Sequence, residues 1–137
     1  MKRVLLVLLG TVLGYVAMVV AIYAWGLIAV WSPFPRSMWA SHGSFVTTAS
    51  AGLAFAPFVA LLVFALVALF KEHAVANSTI SMGFVTLIGN APGSHSPGEL
   101  LASITDAWWL TAIFLIGVPL LVWLLQTLRS NQRLERP

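Results

Sequence analysis

Long stretches without a charged side chain are the feature that most constrains this fold. No Asp, Glu, Lys or Arg occurs at residues 4–35, 37–70 or 107–128, where Leu, Val, Ala, Phe, Ile and Trp predominate. A helix needs about 20 mostly apolar residues to cross the hydrocarbon core of a bilayer. Only 8% of the chain is charged, whereas a soluble domain has about 25%. The sequence therefore predicts an all-α integral membrane protein.

The predicted spans follow from these stretches and from the residues that end them. The first span covers about residues 4–29 and stops before Pro33, which lacks the N–H that a helix interior needs. Two further spans are predicted at about 47–70 and 107–128. The length predicts a single integral membrane domain, a small helical bundle over residues 1–137.

The segment 74–90 is harder to assign, because it is uncharged but rich in polar side chains. The polar residues are Asn77, Ser78, Thr79, Ser81, Thr86 and Asn90. An open strand cannot face lipid, since its backbone groups would have no partners there. The segment is therefore either a third span inside the bundle, where polar side chains bond across helices, or a loop outside the membrane.

The distribution of Lys and Arg favours the first alternative. Basic residues concentrate on the cytoplasmic side of membrane proteins. With three spans, the basic residues of this chain divide between both sides in either orientation. If 74–90 also crosses, all of them except Arg36 lie on one side: Lys2, Arg3, Lys71, Arg129, Arg133 and Arg136. We therefore predict four transmembrane helices with cytoplasmic N- and C-termini, and keep three spans with a long loop as the alternative.

Small residues form regular rows on two of the predicted spans. The first span carries a GxxxG motif that continues into alanines, and the second carries a shorter row: Gly10, Gly14, Ala17 and Ala21, then Gly52, Ala56 and Ala60. Such rows let helices approach closely. We expect them to pack the first two spans together, with self-association or a partner protein as the alternative.

Pro57 and Pro119 are expected to bend their spans.

Few residues suggest a catalytic or metal-binding site. The chain has no Cys, which excludes disulfides and thiolate metal sites. His42 and His95 lie in predicted loops, and we expect them to be solvated rather than to bind a metal. We expect no cofactor and no enzymatic activity, because no acid, base and nucleophile converge in the sequence. The net charge of +3 comes from residues that flank the spans, so we expect no nucleic-acid partner.

These expectations leave three functional hypotheses. The first is a non-catalytic accessory or assembly subunit of a larger membrane complex. The second is a homo-oligomeric pore or transporter, in which Asn77, Ser81 and Thr86 form a polar pathway. The third is a membrane-embedded immunity or protection protein. The expected partners are the lipid bilayer and other membrane subunits or further copies of the chain. Short loops and the basic start at Lys2 and Arg3 indicate a multi-pass protein of a bacterial inner membrane.

Overall fold

The computed structural model describes residues 1–31 and 35–134, and every regular element in these ranges is a helix. The elements in chain order are α1 (Lys2–Val30), α2 (Arg36–Leu69), α3 (Ala74–Asn90), α4 (Pro97–Asp106), α5 (Trp108–Thr111), a π-helical segment (Ala112–Gly117) and α6 (Val118–Leu134).

Three stretches of the described residues are long and apolar enough to cross a membrane. They are Lys2–Val30, Ala40–Leu69 and Trp108–Arg133. The all-α class is therefore confirmed, and three of the expected spans have a helix of suitable length and composition. Helix α3 covers the same residues, 74–90, that the sequence analysis marked as the polar segment. With 17 residues, α3 is at the lower end of the length that a transmembrane helix needs.

Helix α2 begins at Arg36, well before the predicted span at 47–70. Hydroxyl side chains near its start donate to the backbone carbonyl four residues earlier, as Ser41 does to Ser37 and, after His42, Thr47 to Gly43. These bonds satisfy polar groups inside the helix, so a helix can extend beyond the purely apolar run. The backbone leaves helical geometry at His42, with φ −137° and ψ 42°, whereas Pro57 lies within the helical part.

The chain divides into two compact units. The smaller unit is Val16–Leu61, the second half of α1 with most of α2. Within it, the indole Nε1 of Trp25 donates to Ser50 Oγ at 3.3 Å, and Ser50 is fully buried. The larger unit joins Met1–Tyr15 to Leu62–Pro137.

Helix α3 lies at the centre of the larger unit, where it packs against α6, the π-helical segment and α4. The large side chains that are fully buried in this unit are Leu66, Phe70, Met82, Val85, Phe114, Val118 and Val122. A turn at residues 70–73 leads from α2 into α3, and His73 adopts a left-handed conformation there (φ 50°).

Helix α4 starts with an N-cap at Ser96. Ser96 Oγ accepts a hydrogen bond from the backbone N–H of Glu99, and Pro97 occupies the first turn. The Glu99 carboxylate accepts from the N–H of His95 at 2.6 Å, one residue before the position that a standard capping box uses.

The π-helical segment Ala112–Gly117 interrupts the last long helix just before Pro119. Proline has no N–H to donate to the carbonyl four residues earlier, so the α-helical ladder cannot continue regularly there. The N–H of Val118 instead donates to the carbonyl of Ile113, five residues back. A wider helical turn therefore directly precedes Pro119, and the bend expected at this residue stays a prediction.

Candidate functional site

Polar side chains line the buried face of α3. This polar stripe consists of Asn77, Ser78, Ser81 and Thr86, which are all buried, together with the small or apolar residues Ala74, Met82 and Val85. Large apolar side chains of α3 are exposed: Ile80, Phe84, Leu87 and Ile88. At about 3.6 residues per turn, the buried residues cover about half of the helix circumference, and Ile80, Phe84 and Leu87 lie on the other half. The half of α3 that faces the protein therefore carries most of its polar side chains, and the outer half is mostly apolar, the reverse of a helix on a soluble protein.

Asn77 connects three segments of the larger unit. Its Oδ1 accepts a hydrogen bond from Arg3 Nε of α1 at 3.0 Å. Its Nδ2 donates to the backbone carbonyl of Glu72, in the turn between α2 and α3, at 3.2 Å. Asn77 is only 4% exposed, whereas Arg3 is exposed. The buried amide therefore fixes both the start of α1 and the turn.

Ser81 forms a second link between α3 and α1. Its Oγ donates to the backbone carbonyl of Val7 at 3.1 Å, and Thr11 Oγ1 donates to the same carbonyl at 2.9 Å. A carbonyl oxygen has two lone pairs, so one backbone group can serve several donors. Hydrogen bonds to the backbone of a neighbouring helix hold two helices in one register along their axes.

The rest of the polar stripe divides into one bonded and one unbonded hydroxyl. Thr86 Oγ1 donates to the carbonyl of Met82 within α3 at 3.0 Å. Ser78 Oγ is fully buried and has no hydrogen-bond partner among the described residues. A buried polar group without a partner costs roughly 1–3 kcal/mol. The stripe therefore contains one hydroxyl without a hydrogen bond, on Ser78, and two side chains, of Asn77 and Ser81, that bond to another helix.

The glycines of the GxxxG motif lie directly against α3 and its preceding turn. A Cβ added at Gly10 would lie 2.8 Å from Phe70 Cζ and 2.8 Å from Ser81 Oγ. A Cβ added at Gly14 would lie 2.5 Å from Met82 Cε and 2.8 Å from Val85 Cγ2. Gly14 thus lies against α3, and Gly10 lies against both α3 and Phe70, the last residue of the predicted second span.

The other small residues have different surroundings. Ala21 is fully buried and Ala17 half-buried. Gly52, Ala56 and Ala60 are exposed, and a Cβ at Gly52 would meet no atom within 4 Å. We call Gly52, Ala56 and Ala60 the open small-residue face.

Basic side chains surround two adjoining cavities at one end of the larger unit. The first, of about 550 Å³, is lined by Lys2, Arg3, Leu6, Leu69, Phe70, Lys71, Glu72, His73 and Asn77. The second, of about 660 Å³, is lined by Val67, Phe70, Lys71, Gln126, Arg129, Ser130 and Arg133. Phe70 and Lys71 belong to both cavities. The start of α1, the end of α2 and the end of α6 therefore meet at this end, which we call the basic end.

A third cavity, of about 560 Å³, lies where α3, α4 and α5 are connected, and its charged residues are Glu99 and Asp106. Near it, Ser103 Oγ of α4 donates to Asn90 Oδ1 of α3 at 2.9 Å.

His95 and His42 are both exposed, and no three His, Asp or Glu side chains are close enough to hold a metal ion in the described part of the chain.

Sequence reasoning identified Asn77, Ser81 and Thr86 as polar residues of one segment, and α3 buries all three. It did not identify their partners Arg3 and Val7, because a bond between residues 74 positions apart leaves no local pattern.

Compared with the models of known protein families, with curated proteins and with solved structures, the chain matches none of them.

Proposed function

We propose that this chain is a multi-pass membrane protein that acts as a non-catalytic accessory or assembly subunit of a larger membrane complex. The observation that carries the proposal is the open small-residue face, Gly52, Ala56 and Ala60. It has the spacing of a helix-packing surface but is exposed in the chain. Gly10 and Gly14, by contrast, are already covered by α3 and Phe70.

Lipid tails are as apolar as the side chains of a transmembrane helix, so helices associate in a bilayer mainly through close packing. A row of Gly and Ala allows a second helix to approach its backbone closely. Leu53 and Leu61, next to this row, are exposed as well. The open small-residue face is therefore suited to a helix from another membrane subunit.

The proposed topology has four spans, with α3 as the third. The basic end joins the end of α2 to the end of α6, so these two helices finish on the same side of the larger unit. On the proposed topology, the chain returns from the end of α2 to the opposite side through α3, before α4, α5 and the π-helical segment lead into α6. The exposed apolar face and buried polar stripe of α3 support a position inside a lipid-exposed bundle.

The charges support the proposed orientation. Lys2, Arg3, Lys71, Arg129 and Arg133 all line the cavities of the basic end. Because basic residues are retained on the cytoplasmic side, we place both termini in the cytoplasm and propose a bacterial inner membrane as the location.

The hydrogen bonds of the polar stripe favour a subunit over a pore. A polar pathway needs side chains that are available to water or to a solute. Asn77, Ser81 and Thr86 are buried, and each is bonded to another group of the chain. The hydrogen bonds of Asn77 and Ser81 hold α3 against α1, and that of Thr86 is made within α3.

The test is co-purification from native membranes in a mild detergent, using a C-terminal tag. Three chains are compared: the wild type, Ala56→Leu on the open small-residue face, and Ala76→Leu, the same change at an exposed position of α3. We expect larger membrane proteins at near-stoichiometric amounts with the wild type and with Ala76→Leu, and their loss with Ala56→Leu. A single species of fixed multiple mass would instead favour a homo-oligomer, and equal recovery with both variants would contradict the assigned face.

A further inference from the structure

The basic end offers more positive charge than the described chain neutralises. Five basic side chains line its two cavities: Lys2, Arg3, Lys71, Arg129 and Arg133. Glu72 is the only carboxylate among the described lining residues, and no ion pair joins it to any of the five in that part of the structure. Clustered like charges repel one another, so an anion bound among them would be favoured.

The cavities combine this charge with apolar walls. Leu6, Leu69 and Phe70 contribute to the first cavity, and Val67 and Phe70 contribute to the second. A ligand that fits both kinds of wall carries a negative group beside hydrocarbon. An anionic phospholipid has this chemistry, since its phosphate lies directly above its acyl chains.

The position of the cavities agrees with such a ligand. They lie at the start of Lys2–Val30, at the end of Ala40–Leu69 and at the end of Trp108–Arg133, which are the stretches suited to crossing a membrane. The ends of such helices lie at the level of the lipid headgroups. Basic pockets between helices at that level bind anionic headgroups.

Part of the first cavity is held in place before any ligand binds. Asn77 accepts from Arg3 Nε, which orients the guanidinium and leaves its terminal nitrogens without a hydrogen bond to the described residues. Asn77 Nδ2 also donates to the backbone carbonyl of Glu72, in the turn that contains Lys71. A fixed guanidinium loses less entropy when it binds phosphate, and its planar fork matches two phosphate oxygens.

We propose that the basic end is a binding site for the phosphate headgroup of an anionic phospholipid, with Lys71 shared between the two cavities and Arg3 and Arg129 on either side. The site does not depend on the accessory-subunit function or on whether α3 crosses the membrane. It requires only that the chain lies in a bilayer with its helix ends at the headgroups.

The test uses the full chain, purified and stripped of lipid in detergent, with bound lipid counted by native mass spectrometry. The probes are phosphatidylglycerol, zwitterionic phosphatidylcholine and inorganic phosphate. The variants are Lys71→Gln and Arg129→Gln, and the control is Arg36→Gln, which removes the same charge at the exposed start of α2, outside both cavities. Circular dichroism and size-exclusion chromatography of each variant verify folding.

We expect retention of phosphatidylglycerol over phosphatidylcholine, weakened about fivefold by each cavity substitution and unchanged by Arg36→Gln. Equal retention of the two lipids would overturn the proposal. So would an equal loss with Arg36→Gln, because the binding would then depend on overall charge. Displacement of phosphatidylglycerol by millimolar inorganic phosphate would also overturn it, since the site would then be one for a free anion.

Discussion

Arg3 and Asn77 are 74 residues apart in sequence, and the Nε of the first donates to the Oδ1 of the second at 3.0 Å. One residue is exposed at the start of α1, and the other is buried in the first turn of α3. A hydrogen bond that involves a charged donor contributes roughly 1.5–3 kcal/mol. This bond therefore connects the charge at the end of the larger unit to its buried polar stripe.

Replacing Asn77 by Ala is expected to lower the free energy of unfolding by about 1–3 kcal/mol, because it removes the bonds to Arg3 and to the Glu72 carbonyl. The measurement is equilibrium unfolding in mixed micelles with increasing denaturing detergent. Thr79→Ala is the control, since Thr79 is exposed on the same helix and, among the described residues, its side chain bonds only to the carbonyl of Val75 in its own helix. A double-mutant cycle with Arg3→Ala should give a coupling energy of at least about 0.5 kcal/mol, and additive effects would contradict the bond.

The two buried serines of α3 should respond differently to the same substitution. Ser78→Ala removes a hydroxyl that has no partner among the described residues, so we expect unchanged or increased stability. Ser81→Ala removes the bond to the Val7 carbonyl, so we expect a loss of about 1 kcal/mol. Thermal unfolding of both variants in one detergent compares them directly. Destabilisation by Ser78→Ala as large as that by Ser81→Ala would show that Ser78 has a partner.

Adding a methyl group at the glycines of α1 should have opposite effects at different positions. Gly10→Ala places a Cβ 2.8 Å from Phe70 and Ser81, so we expect overpacking to cost about 1–3 kcal/mol. Gly26→Ala in the same helix meets no atom within 4 Å, and we expect a gain of about 0.5–1 kcal/mol from the better helix propensity of Ala. Unfolding in mixed micelles measures both. A stabilising Gly10→Ala would contradict the close contact of α1 with α3.

The absence of cysteine from the chain makes the four-span topology directly measurable. Single cysteines at Ser94 and at Glu72 would lie beyond the two ends of α3. In intact cells we expect a membrane-impermeant thiol reagent to label Ser94→Cys, and to label Glu72→Cys only after the membrane is opened. Labelling of both positions from the same side would refute the crossing of α3, and fusions of a topology reporter after Ser94 and after Pro137 provide an independent control.

The fold class could be predicted well from the sequence, because a helix that crosses the hydrocarbon core of a bilayer needs about 20 mostly apolar residues. The stretches around 4–29 and 107–128 could be recognised from charge and length alone, and each contains a helix. The interruption at Ala112–Gly117 could be placed near Pro119, but its π-helical form depends on which carbonyl the N–H of Val118 reaches.

The partners of the small and polar residues could not be predicted in the same way. Gly10 and Gly14 indicate that something approaches α1 closely, but a row of small residues carries no information about which helix does so. Similarly, the polar side chains of 74–90 indicate a buried face, while the identity of Val7 as an acceptor depends on how far α3 is displaced along α1.

The polar stripe of α3 also has a consequence for biosynthesis on the proposed topology. A helix that carries Asn77, Ser78 and Ser81 enters hydrocarbon less favourably than a purely apolar one. Its bonding partners, Arg3 and the Val7 carbonyl, belong to α1, which is synthesised before α3. On this topology, α1 is therefore already in the bilayer, and its polar groups can bind α3 as α3 leaves the insertion machinery.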